Sequence, residues 1–479
     1  MDGRIGVSSA QEALWVVQRL APNLPNNISG HLEISGPLDH LVMDAALRHV
    51  CRETPTLRVR FGEDQQGVHQ TLRSPEAWRP EFVDISQTDN PESVARGLVS
   101  DLTSQAFDLR HDIPYRAGLI RIDELRHALF IVAHRIVCDG FGVLIALRRI
   151  SEVYTALKSG DNPSQPKFSN PEMLTRSDSA YRSSEDFITD KQFWANYTDA
   201  WPDPVTIAQR RTWPRHPATL HQSVEFAGEA ATCLKKAADD VGLSLPRFLT
   251  ASLVGCLSRA SCAPEFPIQL AVANRLGVGW STPCMLSNAV PVRVTVSQGV
   301  EFVDFAKSLD REIGTLLLHT RYHIPEIQCA TDLRKRTNRF GPVINVVPFP
   351  GNLDFAGSRG AFLGATLGAC DDLSISAYYA RDADNGESCR VHIQIDANGL
   401  LYTDQDLSRF TDQMEGFLQA VIADPKQRID LVELLDPAEQ GHSAAADKRW
   451  GLWGGGWKVM SGHFRQRGNG SPALRVRSS

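Results

Sequence analysis

Long apolar runs are missing from this 479-residue chain. Its purely apolar stretches, Ala128 to Ala133 among them, are strand-sized and fall well short of the ~20 residues needed to cross a bilayer, which excludes a spanning segment. The N-terminal text MDGRIGVSSAQEALW has neither an apolar core nor a small-residue cleavage site, so no secretory signal is expected. An excess of one charge is missing as well. With 50 Lys and Arg against 56 Asp and Glu the formal net is −6, which argues against general nucleic-acid binding. No CxxC spacing occurs. The cysteines at 51, 138, 233, 256, 262, 284, 329, 370 and 389 are odd in number and scattered, as expected of reduced thiols in a cytoplasmic protein. What remains is a globular balance, 42% hydrophobic and 22% charged, that excludes disordered, collagenous and disulfide-scaffold classes. At roughly 150 residues per domain the length suits about three domains or two large α/β units.

Hydrophobic periodicity predicts a mixed α/β chain. Ser8 to Leu20 reads as an N-capped amphipathic helix, His31 to Ser35 as a strand and Leu38 to Arg52 as a helix. Leu57 to Phe61, Val68 to Leu72 and Glu81 to Ile85 look extended. Tyr115 to Ile122 and His127 to Ala133 form a hairpin pattern about Asp123-Glu124, and a helical period then runs from Phe141 to Gly160. His134 to Gly140 therefore falls in a loop between a buried strand and a helix, a place where chemistry concentrates. Residues 159–184, rich in Ser, Pro and Asn, read as a solvated connection between two α/β domains, taken as 1–170 and 171–440. The second half is expected to hold helices over Glu185–Trp201, Leu245–Arg259 and Asp404–Asp424. Its strands are expected at Ile268–Ala273, Val290–Val296, Val343–Val347, Leu373–Tyr379 and Val391–Ile395. The basic, Gly- and Trp-containing stretch 441–479 reads as a poorly ordered tail or a docking peptide.

The loop AHRIVCDG, Ala133 to Gly140, gathers an imidazole, a guanidinium and a carboxylate. Alone, His134 reads as readily as a hydrogen-bonded structural residue, and Asp139-Gly140 as a helix cap. The loop also resembles the His-His-x-x-x-Asp-Gly signature of condensation domains of nonribosomal peptide synthetases and their acyltransferase relatives, with Arg135 in place of the second histidine. Further segments resemble the family's motifs in order: Ser8-Ser9-Ala10-Gln11 to Trp15, Arg48 to Arg58 (RHVCRETPTLR) and Phe107-Asp108-Leu109. In the second half they are Val272-Ala273-Asn274-Arg275, Met285-Leu286-Ser287-Asn288, Pro291-Val292-Arg293, Arg339 to Phe349 and Asp371 to Tyr379. LSNAVPVR, INVVPF and DDLSIS are most similar to the branch that acts first on an assembly line, often on an aryl or fatty acyl starter. The resemblance covers about residues 5–437.

The resemblance implies two chloramphenicol-acetyltransferase-like lobes in a V, an α/β architecture with a tunnel between the lobes. Two carrier-protein phosphopantetheine arms would approach the signature loop through that tunnel, with no bound cofactor and no metal. It implies a structural pair of Asp139 with Arg275 between lobes, Gly140 as a close backbone turn able to aim an N–H at the reacting carbonyl, and His134 and Arg135 in the catalytic loop. Asn288, Ser287 and Ser374 are candidates for the tunnel wall. Arg135 is a departure: it has only donors and cannot serve as a base. Three readings follow. The site catalyses by positioning, Arg135 holds an anionic group or a developing oxyanion, or the domain is silent and recruits a tailoring enzyme. The expected activity is amide or, second, ester formation with carrier proteins met in trans, since no adenylation or carrier domain follows Leu435. A coenzyme A-dependent acyl transfer is a weaker alternative. His319 and His323, at i, i+4, lack the glutamate of a zinc-peptidase motif and precede Pro325, and Gly277-Val278-Gly279 lacks the setting of a dinucleotide site.

Overall fold

The computed structural model describes residues 3–207, 219–330, 340–349, 351–366, 370–380, 390–434 and 458–459. The first half runs β1 (Arg4–Ile5), α1 (Ser9–Leu20), β2 (Asn27–Ser35), α2 (His40–Glu53), β3 (Val59–Asp64), β4 (Gly67–Leu72), β5 (Glu81–Asp84), α3 (Pro91–Ser104), β6 (Tyr115–Arg121), β7 (Arg126–His134) and α4 (Gly140–Lys158). Next come α5 (Pro171–Arg182), α6 (Glu185–Tyr197), β8 (Thr219–Ala227), α7 (Glu229–Asp240), α8 (Leu245–Ser261), β9 (Glu265–Val272), β10 (Asn288–Thr295) and α9 (Phe302–Leu316). The chain continues with α10 (Ile324–Ala330), β11 (Val343–Phe349), β12 (Leu353–Phe355), β13 (Ser358–Thr366), β14 (Leu373–Ala380), β15 (Arg390–Asn398), α11 (Asp404–Ala423) and β16 (Lys458–Val459).

Two large sheets organise these elements, each with its own hydrophobic core, as the layered α/β class requires. One has the order β12-β13-β2-β7-β6-β5, the other β10-β9-β11-β14-β15-β8-β16. β7 lies inside the first sheet, and its run Ala128 to Ala133 is buried along its length because both faces are covered. α1 starts on a capping box: Gln11 N–H donates to Ser8 Oγ (3.3 Å), while Ser8 N–H donates to Gln11 Oε1 (3.0 Å). Arg58, from the second quoted motif, closes α2 by donating from Nε to the Cys51 carbonyl at 2.8 Å and from its other nitrogens to the Arg52 and Arg73 carbonyls.

Two features differ from the sequence expectation. The stretch 159–184 is not simply a solvated connection, because it contains α5, capped by Asn170 with Pro171 in its first turn. Asp178 of α5 accepts from Ser9 N–H at 2.9 Å, Thr175 donates to the Gly6 carbonyl at 3.1 Å and Arg321 donates to the Ser177 carbonyl at 3.2 Å, so α5 ties both halves together. The second difference is a strap: β12 and β13, from the second half, complete the first sheet by pairing with β2, and Leu353 and Phe355 enter its core. Ser151 of α4 donates to the Asp354 carbonyl at 2.6 Å, fastening the strap. Helices α3, α7 and α9 and strand β8 were not anticipated. The Arg339 end of one quoted motif, Cys389 and all of the 441–479 tail except the backbone of β16 lie outside the described residues. Among the described residues no single helix is long and apolar enough to cross a membrane. The eight described cysteines are unbridged.

Candidate active site

The end of β7 sets the site. His134 is fully buried, and both ring nitrogens are used: Nδ1 accepts the Ile136 N–H at 3.0 Å and Nε2 lies 2.9 Å from Gln18 Oε1. With Nδ1 accepting, the single ring proton sits on Nε2 and is donated to Gln18, which makes the ring a neutral strut between the loop and α1. Burial, with the nearby Arg135 charge, lowers its pKa from 6.5 to about 3. Arg135 is held through its backbone, its N–H donating to the Asn26 carbonyl at 2.9 Å, while its side chain lines the space between the sheets.

Asp139 caps α4 and clamps the two halves of the molecule. Its Oδ1 accepts from Gly142 N–H at 2.7 Å and from Arg275 Nη2 at 2.5 Å; its Oδ2 accepts from the N–H groups of Leu286 (2.9 Å) and Ser287 (2.8 Å). Arg275 lies in the loop after β9 rather than on a strand. It donates further to the carbonyls of Gly279 (2.7 Å), Thr282 (2.8 Å) and Cys284 (3.1 Å), and its guanidinium lies 4.9 Å from the Phe141 ring centroid. Burial works against the Arg275 charge, yet Asp139 and the neighbouring thiols more than offset it, so its pKa is raised. Burial also pushes the Cys284 thiol up to about 12, so it is no nucleophile. Gly142 lets the loops meet: a Cβ there would stand 2.7 Å from Cys138 Sγ and 3.0 Å from the backbone N and O of Cys284.

Between the sheets lies a cavity of about 1290 Å³, walled by α1 (Ala10, Ala13, Leu14, Val17), the start of α4, β9, β11 and the start of β14. Arg135, Asp139, Gly140, Ser287, Asn288 and Ser374 all line it. The Asn288 amide is occupied with structure: Nδ2 donates to the carbonyls of Thr320 (2.8 Å) and Tyr322 (3.0 Å), and Oδ1 accepts from Ile324 N–H (3.2 Å). Gly140 opens the 19-residue α4, whose first-turn N–H groups and dipole point towards the loop. The Asp371-Asp372 pair stood in the text, but only the fold separates a structural Asp372, which accepts from Tyr402 Oη at 2.6 Å, from Asp371. His319 pairs with Asp190 at 2.6 Å, and among the described residues no group of three His, Cys, Asp or Glu side chains could hold a metal.

Two sheets meet at a buried loop, with an arginine and a helix N-terminus lining one cavity between them, in a two-lobed α/β domain. A family model described as "Condensation domain" matches residues 1–442, and the chain belongs to that family. It is 30% identical over 448 residues to a dimodular nonribosomal peptide synthase of Bacillus subtilis (strain 168), covering 92% of this chain and 18% of that protein. It is also 30% identical over 434 residues to an isonitrile lipopeptide synthase of Streptomyces coeruleorubidus, covering 90% of this chain and 29% of that one. The chain thus spans under a third of either relative. Among solved structures, a variant of the starter condensation domain of rhizomide synthetase in complex with C8-CoA superposes with a TM-score of 0.83 at 27% identity, covering 90% of this chain and 98% of that chain. A second such variant, bound to C8-CoA and Leu-SNAC, gives 0.82 at 27% identity, covering 91% and 98%. The first condensation domain of the calcium-dependent antibiotic synthetase gives 0.81 at 26% identity, covering 90% and 99%.

Proposed function

We propose that this chain joins an acyl group carried as a thioester to an amine, forming an amide in the inter-lobe cavity, with both partners presented on phosphopantetheine arms of carrier proteins acting in trans. The observation that carries this reading is the arrangement at the loop: Asp139 and Arg275 are paired with each other and hold it, while the Arg135 side chain and the start of α4 line the cavity. An oxyanion formed when the amine attacks the thioester would be met by the guanidinium and by the Gly140 N–H. Burial pulls the Arg135 pKa down and Asp139 and Asp371 pull it back, but an arginine stays charged near neutrality. Base help from a second histidine, worth about 10² to 10⁴-fold elsewhere, is absent, so positioning and charge carry the rate. The apolar α1 wall suits an aliphatic or aryl acyl donor.

A second reading, a silent domain that recruits a tailoring enzyme through its outer surface, is favoured by the same Arg135. The two are separated by incubating the protein with acyl-loaded and aminoacyl-loaded carrier proteins, and with C8-CoA in place of the acyl carrier to test coenzyme A as donor. Product on the acceptor carrier supports catalysis. No product from any pair, with a tailoring enzyme retained in a pull-down, supports recruitment.

A further inference from the structure

Six carboxylates line the cavity, and five are engaged. Asp139 accepts four hydrogen bonds; Asp372 accepts from Tyr402 and Thr206; Asp396 is bonded to His221 and Gln394; Asp354 accepts from Gly357 N–H; and Glu152 pairs with Arg148 and Arg149. The sixth, Asp371, makes no side-chain hydrogen bond or ion pair among the described residues, and neither does the Arg135 guanidinium. The two come from different sheets, Arg135 from the loop after β7 and Asp371 from the turn before β14, and both line the one cavity with no hydrogen bond or ion pair between them. The Asp371 backbone is anchored by Asn398 Nδ2, which donates to its carbonyl at 3.1 Å. A guanidinium and a carboxylate left without partners among the described residues in one cavity fit a reacting pair that is negative at one end and positive at the other.

We infer that Asp371 is the acceptor-amine site: it binds the amine and takes its proton as the amide forms, opposite Arg135. This rests on the amide-forming reading above. The nitrogen lone pair forms the C–N bond and the carbonyl π pair moves onto oxygen, towards Arg135. The nitrogen, now cationic and far more acidic than the free ammonium, gives a proton to Asp371. The oxygen pair then restores the carbonyl as the C–S bond breaks, and the departing thiolate takes the proton back from Asp371. The balance is thioester plus amine to amide plus thiol, with the carboxylate regenerated.

The test compares binding by NMR titration of Leu-SNAC with its counterpart in which the amine is replaced by hydrogen, alongside product formation with C8-CoA or acyl carrier as donor. The wild type should prefer the amine-bearing probe at least fivefold, Asp371→Asn should equalise the two, and Asp371→Glu should keep part of the preference. The melting temperature should hold in all three, since the carboxylate makes no hydrogen bond or ion pair among the described residues. Equal or absent binding of both probes to the wild type, or a preference that survives Asp371→Asn or is lost instead in His323→Ala, overturns the assignment. A preference that depends on Asp371 with no product from any donor supports the amine site and sinks the amide-forming reading.

Discussion

Asp139 and Arg275 are two charges, 136 residues apart, that have left water together. Each is nearly fully buried and each has further backbone partners, although Arg275 Nε is left without one, so removing one charge strands the other. Asp139→Ala or Arg275→Ala should each cost about 3 to 5 kcal/mol, and the double variant far less than the sum, because both deletions remove one shared interaction. Urea unfolding of the four proteins decides it, and additive losses would refute the clamp. His134 makes a separate prediction. Its folded pKa, about 3, lies below the unfolded value of 6.5, so between those limits the unfolded chain binds a proton that the native ring refuses. Its contribution is whole above pH 6.5 and is lost as pH falls towards 3, at about 1.4 kcal/mol per unit for one proton. His134→Gln should therefore show a shallower loss of stability between pH 6.5 and 4 than the wild type; equal slopes would contradict the neutral, buried strut. At this scale the chain text was informative only through the family resemblance. Nothing in the spacing of Asp139, Arg275, Arg135 and Asp371 joins them, because their proximity depends on two sheets docking.

Elements were read best where one local signal sufficed. α4 follows from Asp139-Gly140 ahead of a helical period, and β7 from a continuous apolar run. α5 was misread because Asn170-Pro171 is both a loop signal and a helix start, and its Ser-rich text hides a helix packed on both halves. α9 carries a plain helical period, Phe302, Phe305, Ala306, Leu309, Ile313 and Leu316, that the reading passed over. The β12–β13 strap has no local signal for its partner, since β2 lies more than 300 residues earlier. Two glycines inside helices give opposed predictions. Gly416 of α11 has open space around its would-be Cβ, so Gly416→Ala should stabilise by about 0.5 to 1 kcal/mol through helix propensity. Gly142→Ala should destabilise by about 1 to 3 kcal/mol despite the same propensity gain, because the methyl meets backbone of the opposite lobe. Thermal melts of both variants check this, and a stabilised Gly142→Ala would mean that the lobes are not packed at that loop.

For the whole molecule, function depends on two lobes keeping one cavity in shape. The clamp, α5 and the strap are three fastenings made by distant segments, and together they fix where Arg135 stands relative to the far wall. The α/β class and the two-lobed character were legible in the alternation of elements and in the ordered motifs. The cavity wall was not, because its residues come singly from many elements. We propose that Arg135 works in this cavity as a charge for a forming oxyanion, in place of the second histidine. The most direct measurement is mass spectrometry of the acceptor carrier protein after reaction with an acyl-loaded donor carrier, comparing wild type, Arg135→Ala and Arg135→His. Product should fall more than tenfold in Arg135→Ala, about 1.4 kcal/mol in the barrier, and Arg135→His should not restore it, since an imidazole is shorter than the arginine side chain and, when neutral, brings no charge to the oxyanion. Wild-type product that is unchanged in Arg135→Ala would contradict the claim.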